Sequence, residues 1–145
     1  MGVFEDTGRP LGAMLLVVTD DHRLVLHHRD DVPGIAHPGC WAGFGGAVER
    51  EESVGNALTR EVMEETGFEV NNPIFLTNEI DHEGDGRRIS MFCVIGGIRP
   101  ADIILQEGVG IGVFTVSELK DLNISPFVRR TMESHVIPML SGPES

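Results

Sequence analysis

The sequence predicts an α/β fold of the mixed, α+β kind, in which helices pack on a mixed β-sheet. Three observations lead there. Apolar runs rich in β-branched residues, separated by polar turns, recur along the 145 residues and read as paired strands. One segment near the middle has helical periodicity instead of alternation. Strands and helices also mix without the regular βαβ order that builds an all-parallel sheet.

Taken in order, residues 11–18 (LGAMLLVV) form the first apolar run. The polar turn Thr19-Asp20-Asp21-His22 separates it from residues 24–28, so the two read as a hairpin. Residues 30–40 (DDVPGIAHPGC) hold two prolines and two glycines and read as a loop. Ser53 opens the main helix as its N-cap, with Asn56 three residues on in place of the ideal glutamate, and Gly67 closes it. Residues 74–80 and 88–95 read as a second hairpin around the loop DHEGDG. A further short strand is expected at 112–115, and Ser117 begins one helical turn. Ser125-Pro126, an N-cap followed by proline at the first helical position, begins a final helix that Pro138 stops.

Composition narrows the class. Apolar residues make up 41% and charged residues 23%, an ordinary globular profile, and 145 residues suffice for one domain with a real core. With no repeat, low-complexity tract or linker, residues 1–145 are expected to form a single domain. No apolar run approaches the roughly 20 residues of a membrane span. The N-terminus MGVFEDTGRP lacks a basic n-region, and Asp6 stands where a myristoylation pattern needs Ser or Thr. Cys40 and Cys93 make no disulfide framework, so a reduced, cytoplasmic setting is expected. The net charge of −12 argues against binding a nucleic acid polymer or an anionic membrane. If the substrate is a phosphate compound, something positive must bridge it to so acidic a chain, and a divalent cation would.

The chemistry concentrates in residues 45–68, GGAVEREESVGNALTREVMEETGF. At about 100° per residue, Glu61, Glu64 and Glu65 fall on one side of the helix, and Val54, Ala57 and Leu58 project nearly the same way. Acid and oil therefore share a face that should be oily throughout. Such local violations concentrate at functional sites. Three carboxylates in one turn repel one another, and burying them unpaired is expensive. Oxygen-rich clusters suit Mg²⁺ or Mn²⁺. A metal there reaches phosphate oxygens and activates a water. A solvated face of i,i+4 pairs fits poorly, because the segment has no lysine and Arg60 is nearly its only cation.

Gly46, five residues, Glu52, seven residues and then R-E-V-M-E-E-T-G-F resembles the Nudix box, G-x5-E-x7-R-E-U-x-E-E-x-G-U with U apolar, at every position. Seven fixed identities at roughly 6% each make a chance match rarer than about one in 10⁸ starting positions. The resemblance implies a Nudix-like α/β/α sandwich with a mixed β-sheet. It also implies Mg²⁺- or Mn²⁺-dependent hydrolysis of a nucleoside diphosphate linked to another moiety, by metal-activated water. Glu64 and Glu65 resemble the principal metal ligands, with a backbone carbonyl from Gly45. Glu61 is similar to a further ligand or the base that takes the water's proton. Arg60 resembles the arginine that orients the catalytic glutamate, and Glu52 its supporting acid. Glu107 is similar to the family's distal glutamate, which completes the metal site or serves as base, with Glu83 and Asp85 as rivals.

On the substrate side, Arg29 resembles a family arginine that reaches phosphates, and Arg87 and Arg88 open a strand whose counterpart can contact the nucleotide. For all three, an ordinary surface arginine is the other reading. Trp41 and Phe44 flank the glycines, with base stacking and core packing as the two readings. His27, His28, His37 and His82 show no metal-ligand spacing and read as surface or satisfied core histidines. Phe44 stands where many members have proline, which changes the pocket wall, and Glu51 where many have glycine. The chain has no tyrosine, unlike dinucleotide-polyphosphate members, and Glu83-Gly84 where ADP-ribose members tend to have proline. A small-molecule nucleotide, foremost a (deoxy)nucleoside triphosphate, is the substrate expected, and many relatives pair as homodimers. The other readings are a nucleotide-sugar or ADP-ribose pyrophosphatase, a non-catalytic nucleotide sensor, and an isoprenoid diphosphate isomerase using a cysteine.

Overall fold

The computed structural model describes residues 11–105 and 110–140. Strand β1 (Leu11–Val18) pairs in parallel with β6 (Arg88–Ile95) along its whole length, Leu11 opposite Arg88 and Val18 opposite Ile95. Its other edge is shared. Val17 and Val18 pair antiparallel with β2 (Leu24–His28), whereas Gly12 to Leu15 pair antiparallel with β4 (Phe44–Ala47). The short β3 (Trp41–Ala42) and β7 (Gly110–Phe114) both join β2, and β5 (Ile74–Ile80) joins β6. One parallel pairing among antiparallel ones makes the seven-stranded sheet mixed, as expected. The strands at 41–42 and 44–47 were not expected, because their glycine-rich sequence carries no alternation to read.

The near-continuous apolar run of β1 follows from burial on both faces of the sheet. Leu15 and Val17 pack with Phe44, Leu58 and Val62 on the side of helix α1 (Val54–Thr66). Leu16 and Val18 pack with Met91, Cys93, Phe127 and Met132 on the side of α2 (Pro126–Thr131). A sheet between two helical layers is the α/β/α sandwich that the sequence resemblance implies.

Helix α1 has the termini read from sequence. The Ser53 hydroxyl accepts from the Asn56 N–H at 3.0 Å, and Gly67 adopts a left-handed conformation (φ 79°) while its N–H caps the Met63 carbonyl. Two expectations are corrected, and a third, the Ser125-Pro126 helix start, holds in position but not in its side-chain bond. The turn at Val116–Asp121 starts from Thr115 and not Ser117, because Thr115 and Glu118 form a reciprocal capping box. Ser125 precedes its helix, but its side chain makes no capping bond. Pro138 does not stop the helix, which runs on as α3 (Ile137–Leu140). A wider π-turn at Met132–Val136, in which the Ile137 N–H donates to the Met132 carbonyl, lies directly before the proline. That wider turn relieves the clash a proline ring makes with the preceding turn of an α-helix.

Candidate active site

Helix α1 lies against β4, and this contact builds the site. Glu65 follows Leu58 by seven residues and Val62 by three, so it lies in the same buried stripe. It is 8% exposed, and its Oε1 accepts from the Gly45 N–H at 3.0 Å. Glu61 lies nearby, mostly buried, under Gly46. A Cβ on Gly46 would stand 2.5 Å from the Glu61 carboxyl carbon, so a side chain here would fill the space that the carboxylate occupies. A Cβ on Gly45 would collide with the Ala13 carbonyl of β1. Both glycines are thus required by close approach, one to the strand and one to the acid. Glu64 is different: its side chain is 59% exposed, at the rim. The shared face is therefore graded, from buried Glu65 through Glu61 to exposed Glu64.

Arg60 ties these parts together. Its Nε donates to Glu52 Oε2 at 2.8 Å and its Nη2 to Glu52 Oε1 at 3.0 Å, a two-pronged pair. Nη1 donates to Glu61 Oε2 at 2.9 Å, and Nη2 also reaches the Ala47 carbonyl at 3.1 Å. Glu64 lies 3.5 Å from Nη1. The Arg60 bonds, and then the bond from the Glu49 N–H, push the Glu52 carboxyl down to about 2. Arg60 is held above its ordinary range, first by Glu52 and then by Glu61.

The donor types, carboxylate and backbone carbonyl oxygen, are those a hard divalent cation takes. Three carboxylates of graded burial stand on one helix, and a glycine pair leaves room for one of them beside open backbone. The acids are turned to Arg60 and Gly45, and among the described residues no three of them converge on one point.

A cavity of about 220 Å³ opens beside Gly45 and Gly46. Arg29 and Arg87 both line it. The Arg29 Nε donates to the Ala36 carbonyl at 2.8 Å, folding the 30–40 loop back over the strand end. Arg87 pairs with Asp85 at 2.9 Å, which holds the Asp85 carboxyl below its usual range. Two expected substrate contacts are not in this cavity. Arg88 faces the other side of the sheet with Ser90 and Phe92, because neighbouring strand residues point to opposite faces. Phe44 is fully buried and stacks on His27 at 5.6 Å, so of its two readings the structure has core packing. Trp41 stacks on His28 at 4.4 Å and also stays out of the cavity. Of the rival acids, Asp85 is engaged by Arg87, and Glu83 lies 3.9 Å from Arg130. Glu107 lies outside the described residues.

Two features of the cavity were missed from sequence. His37 Nε2 lies 2.8 Å from both carboxylate oxygens of Asp81, and both side chains are more than nine-tenths buried. The partners are 44 residues apart, with nothing local to announce the pair. Ser125, 1% exposed, lines the same cavity, and among the described residues its Oγ is the one buried side-chain oxygen or nitrogen without a hydrogen bond. Such a hydroxyl costs about 1–3 kcal/mol. Its motif reads as a helix cap, which hid it.

Comparison with known proteins gives one consistent picture. The family model for the NUDIX domain matches residues 8–133. The MutT protein from Methanosarcina mazei Go1 is similar in structure, at TM-score 0.70 and 22% identity, over 86% of this chain and 91% of that one. A MutT NUDIX hydrolase from Burkholderia pseudomallei matches at TM-score 0.70 and 25% identity, over 86% and 96%. The dihydroneopterin triphosphate pyrophosphohydrolase of E. coli matches at TM-score 0.67 and 21% identity, over 90% and 97%.

Proposed function

The chain belongs to the Nudix family of hydrolases, which cleave nucleoside diphosphate-linked compounds with divalent metals, and from that premise we propose a Mg²⁺-dependent hydrolase of (deoxy)nucleoside triphosphates. One observation carries the reading: Glu65 and Glu61 of α1 lie against Gly45 and Gly46, and the same two glycines line a cavity that also takes Arg29 and Arg87. Carboxylates for a cation and guanidinium groups for phosphate are thus connected through one glycine pair.

Glu61, Glu64, Glu65 and the Gly45 carbonyl would hold Mg²⁺ or Mn²⁺. Bound there, the ion neutralises phosphate charge and lowers the pKa of the attacking water. The chain's own residues do the rest by position. We assign Glu61 as a base that takes the water's proton, held by Arg60 Nη1 at 2.9 Å and backed by Glu52 behind the guanidinium. Glu107 is a second candidate for that proton or for a metal ligand. Arg29 and Arg87 bind phosphate oxygens as hydrogen-bond donors. Chain charge supports the reading too, since at −12 the protein repels a polyphosphate that arrives without a cation.

The test is a chromatographic panel with Mg²⁺: nucleoside triphosphates, an oxidised guanine nucleotide, ADP-ribose, nucleotide sugars and dinucleoside polyphosphates. Glu64→Gln runs beside the wild type, since an exposed side chain can be changed without disturbing the core. Turnover of triphosphates, lost in Glu64→Gln, is expected. Cleavage of a nucleotide sugar or ADP-ribose alone would overturn the substrate assignment.

A further inference from the structure

Part of the cavity wall is polar in a way that hydrolysis does not use. Ser125 is held rigidly: its N–H donates to the Trp41 carbonyl at 3.1 Å and its own carbonyl accepts from the Arg129 N–H at 3.0 Å. The Trp41 N–H in turn bonds the Asn123 carbonyl at 2.8 Å, fastening the segment to β3. Phe127, two residues on, has its ring 5.6 Å from that of His37, which bonds Asp81. Met14, Ala42, Ile89 and Phe127 supply apolar lining to the same cavity.

We propose that Ser125, backed by the His37–Asp81 pair, reads the polar edge of the substrate's nucleobase, an assignment that rests on the nucleotide-hydrolase reading above. A planar heterocycle is flat and apolar on its faces and polar only along its edge. A mostly apolar pocket with a few fixed polar groups is the complement of that shape. The Ser125 hydroxyl can donate or accept, whereas both Asp81 oxygens already face the His37 ring, so the hydroxyl is the group left to meet the base. Among the described residues the hydroxyl has no hydrogen-bond partner, so a substrate that supplies one gains it without breaking another. A base lacking a group in register leaves it buried and unpaired, which is how a small site discriminates strongly. The His37–Asp81 contact fastens the 30–40 loop to the end of β5 and so keeps this wall in place.

The experiment compares wild type and Ser125→Ala by kcat/KM on the four deoxynucleoside triphosphates, by thermal melting, and by calorimetric binding of the four nucleoside monophosphates without metal. Wild type is expected to prefer one base. In Ser125→Ala the ratio between best and worst base falls about tenfold, through KM more than kcat, while the melting temperature holds or rises. A structural serine would do the opposite, lowering the melting temperature and leaving the ratio unchanged, and that result overturns the proposal. So does a wild type that shows no base preference. If wild type turns over no nucleotide, the hydrolase reading fails separately. Monophosphate binding then decides the inference: base-selective binding lost in Ser125→Ala sustains it, and no binding or unselective binding overturns it.

Discussion

Arg60 and Glu52 are joined by two roughly parallel hydrogen bonds, 2.8 Å and 3.0 Å long, while the same guanidinium holds Glu61 at 2.9 Å. One planar cation thus sets the position of an acid on its own helix from an acid just before that helix. A fork of donors does this in a way that a single ammonium cannot.

Arg60→Lys should therefore be far from conservative. Losing the fork lets Glu61 drift, and a misplacement of about 1 Å in a catalytic group costs about 10²-fold in rate. The expected result is a fall of that order in kcat with folding retained by circular dichroism. Near wild-type kcat in Arg60→Lys would remove Arg60 from the positioning role.

The depressed Glu52 carboxyl makes a pH prediction. Its folded value of about 2 lies below the ordinary 4.5, so the pairing stabilises the fold fully above about pH 4.5. That contribution is lost as pH falls from there through about 2. The melting temperature of wild type should exceed that of Glu52→Gln at pH 7, and the gap should close progressively below about pH 4.5. A gap that stays constant to pH 3 would show that the pairing does not act through Glu52 ionisation.

Gly46→Ala should cut activity while leaving the core intact. A Cβ would stand 2.5 Å from the Glu61 carboxyl, and the end of a side chain can move where backbone cannot. The acid swings aside, kcat falls by about 10²-fold, and the melting temperature changes little. Steady-state kinetics with a thermal melt checks both halves. The counterpart Gly45→Ala meets the Ala13 carbonyl, which is backbone, and should lower the melting temperature as well.

Added Mg²⁺ should stabilise the protein by mass action. At one hundred times its dissociation constant the gain is about 2.7 kcal/mol. Differential scanning fluorimetry should show an upward shift in wild type that a chelator reverses and that Glu64→Gln loses. An equal shift in both proteins would place the cation elsewhere.

Much of this was written locally. Capping residues at both ends of α1 and the spacing of the box are short-range patterns, each legible within one segment of the chain. Pro138 was misread because a π-turn can absorb a proline, and no residue code marks one. The strands at 41–42 and 44–47 were missed because glycine supplies room and no periodicity.

What the sequence determined by itself was the class of chemistry: the order of Gly46, Glu52, Arg60, Glu61, Glu64 and Glu65 is fixed along one segment, and helical geometry alone brings the acids together. Only the tertiary structure decided which residues share the cavity. It separated Arg87 from its neighbour Arg88, sent Phe44 into the core, joined His37 to Asp81 across 44 positions and left the Ser125 hydroxyl without a partner among the described residues. Those outcomes depend on strand register and on how the helical layers meet the sheet. Contacts between distant segments leave no period in the chain, so they become visible only once it has folded.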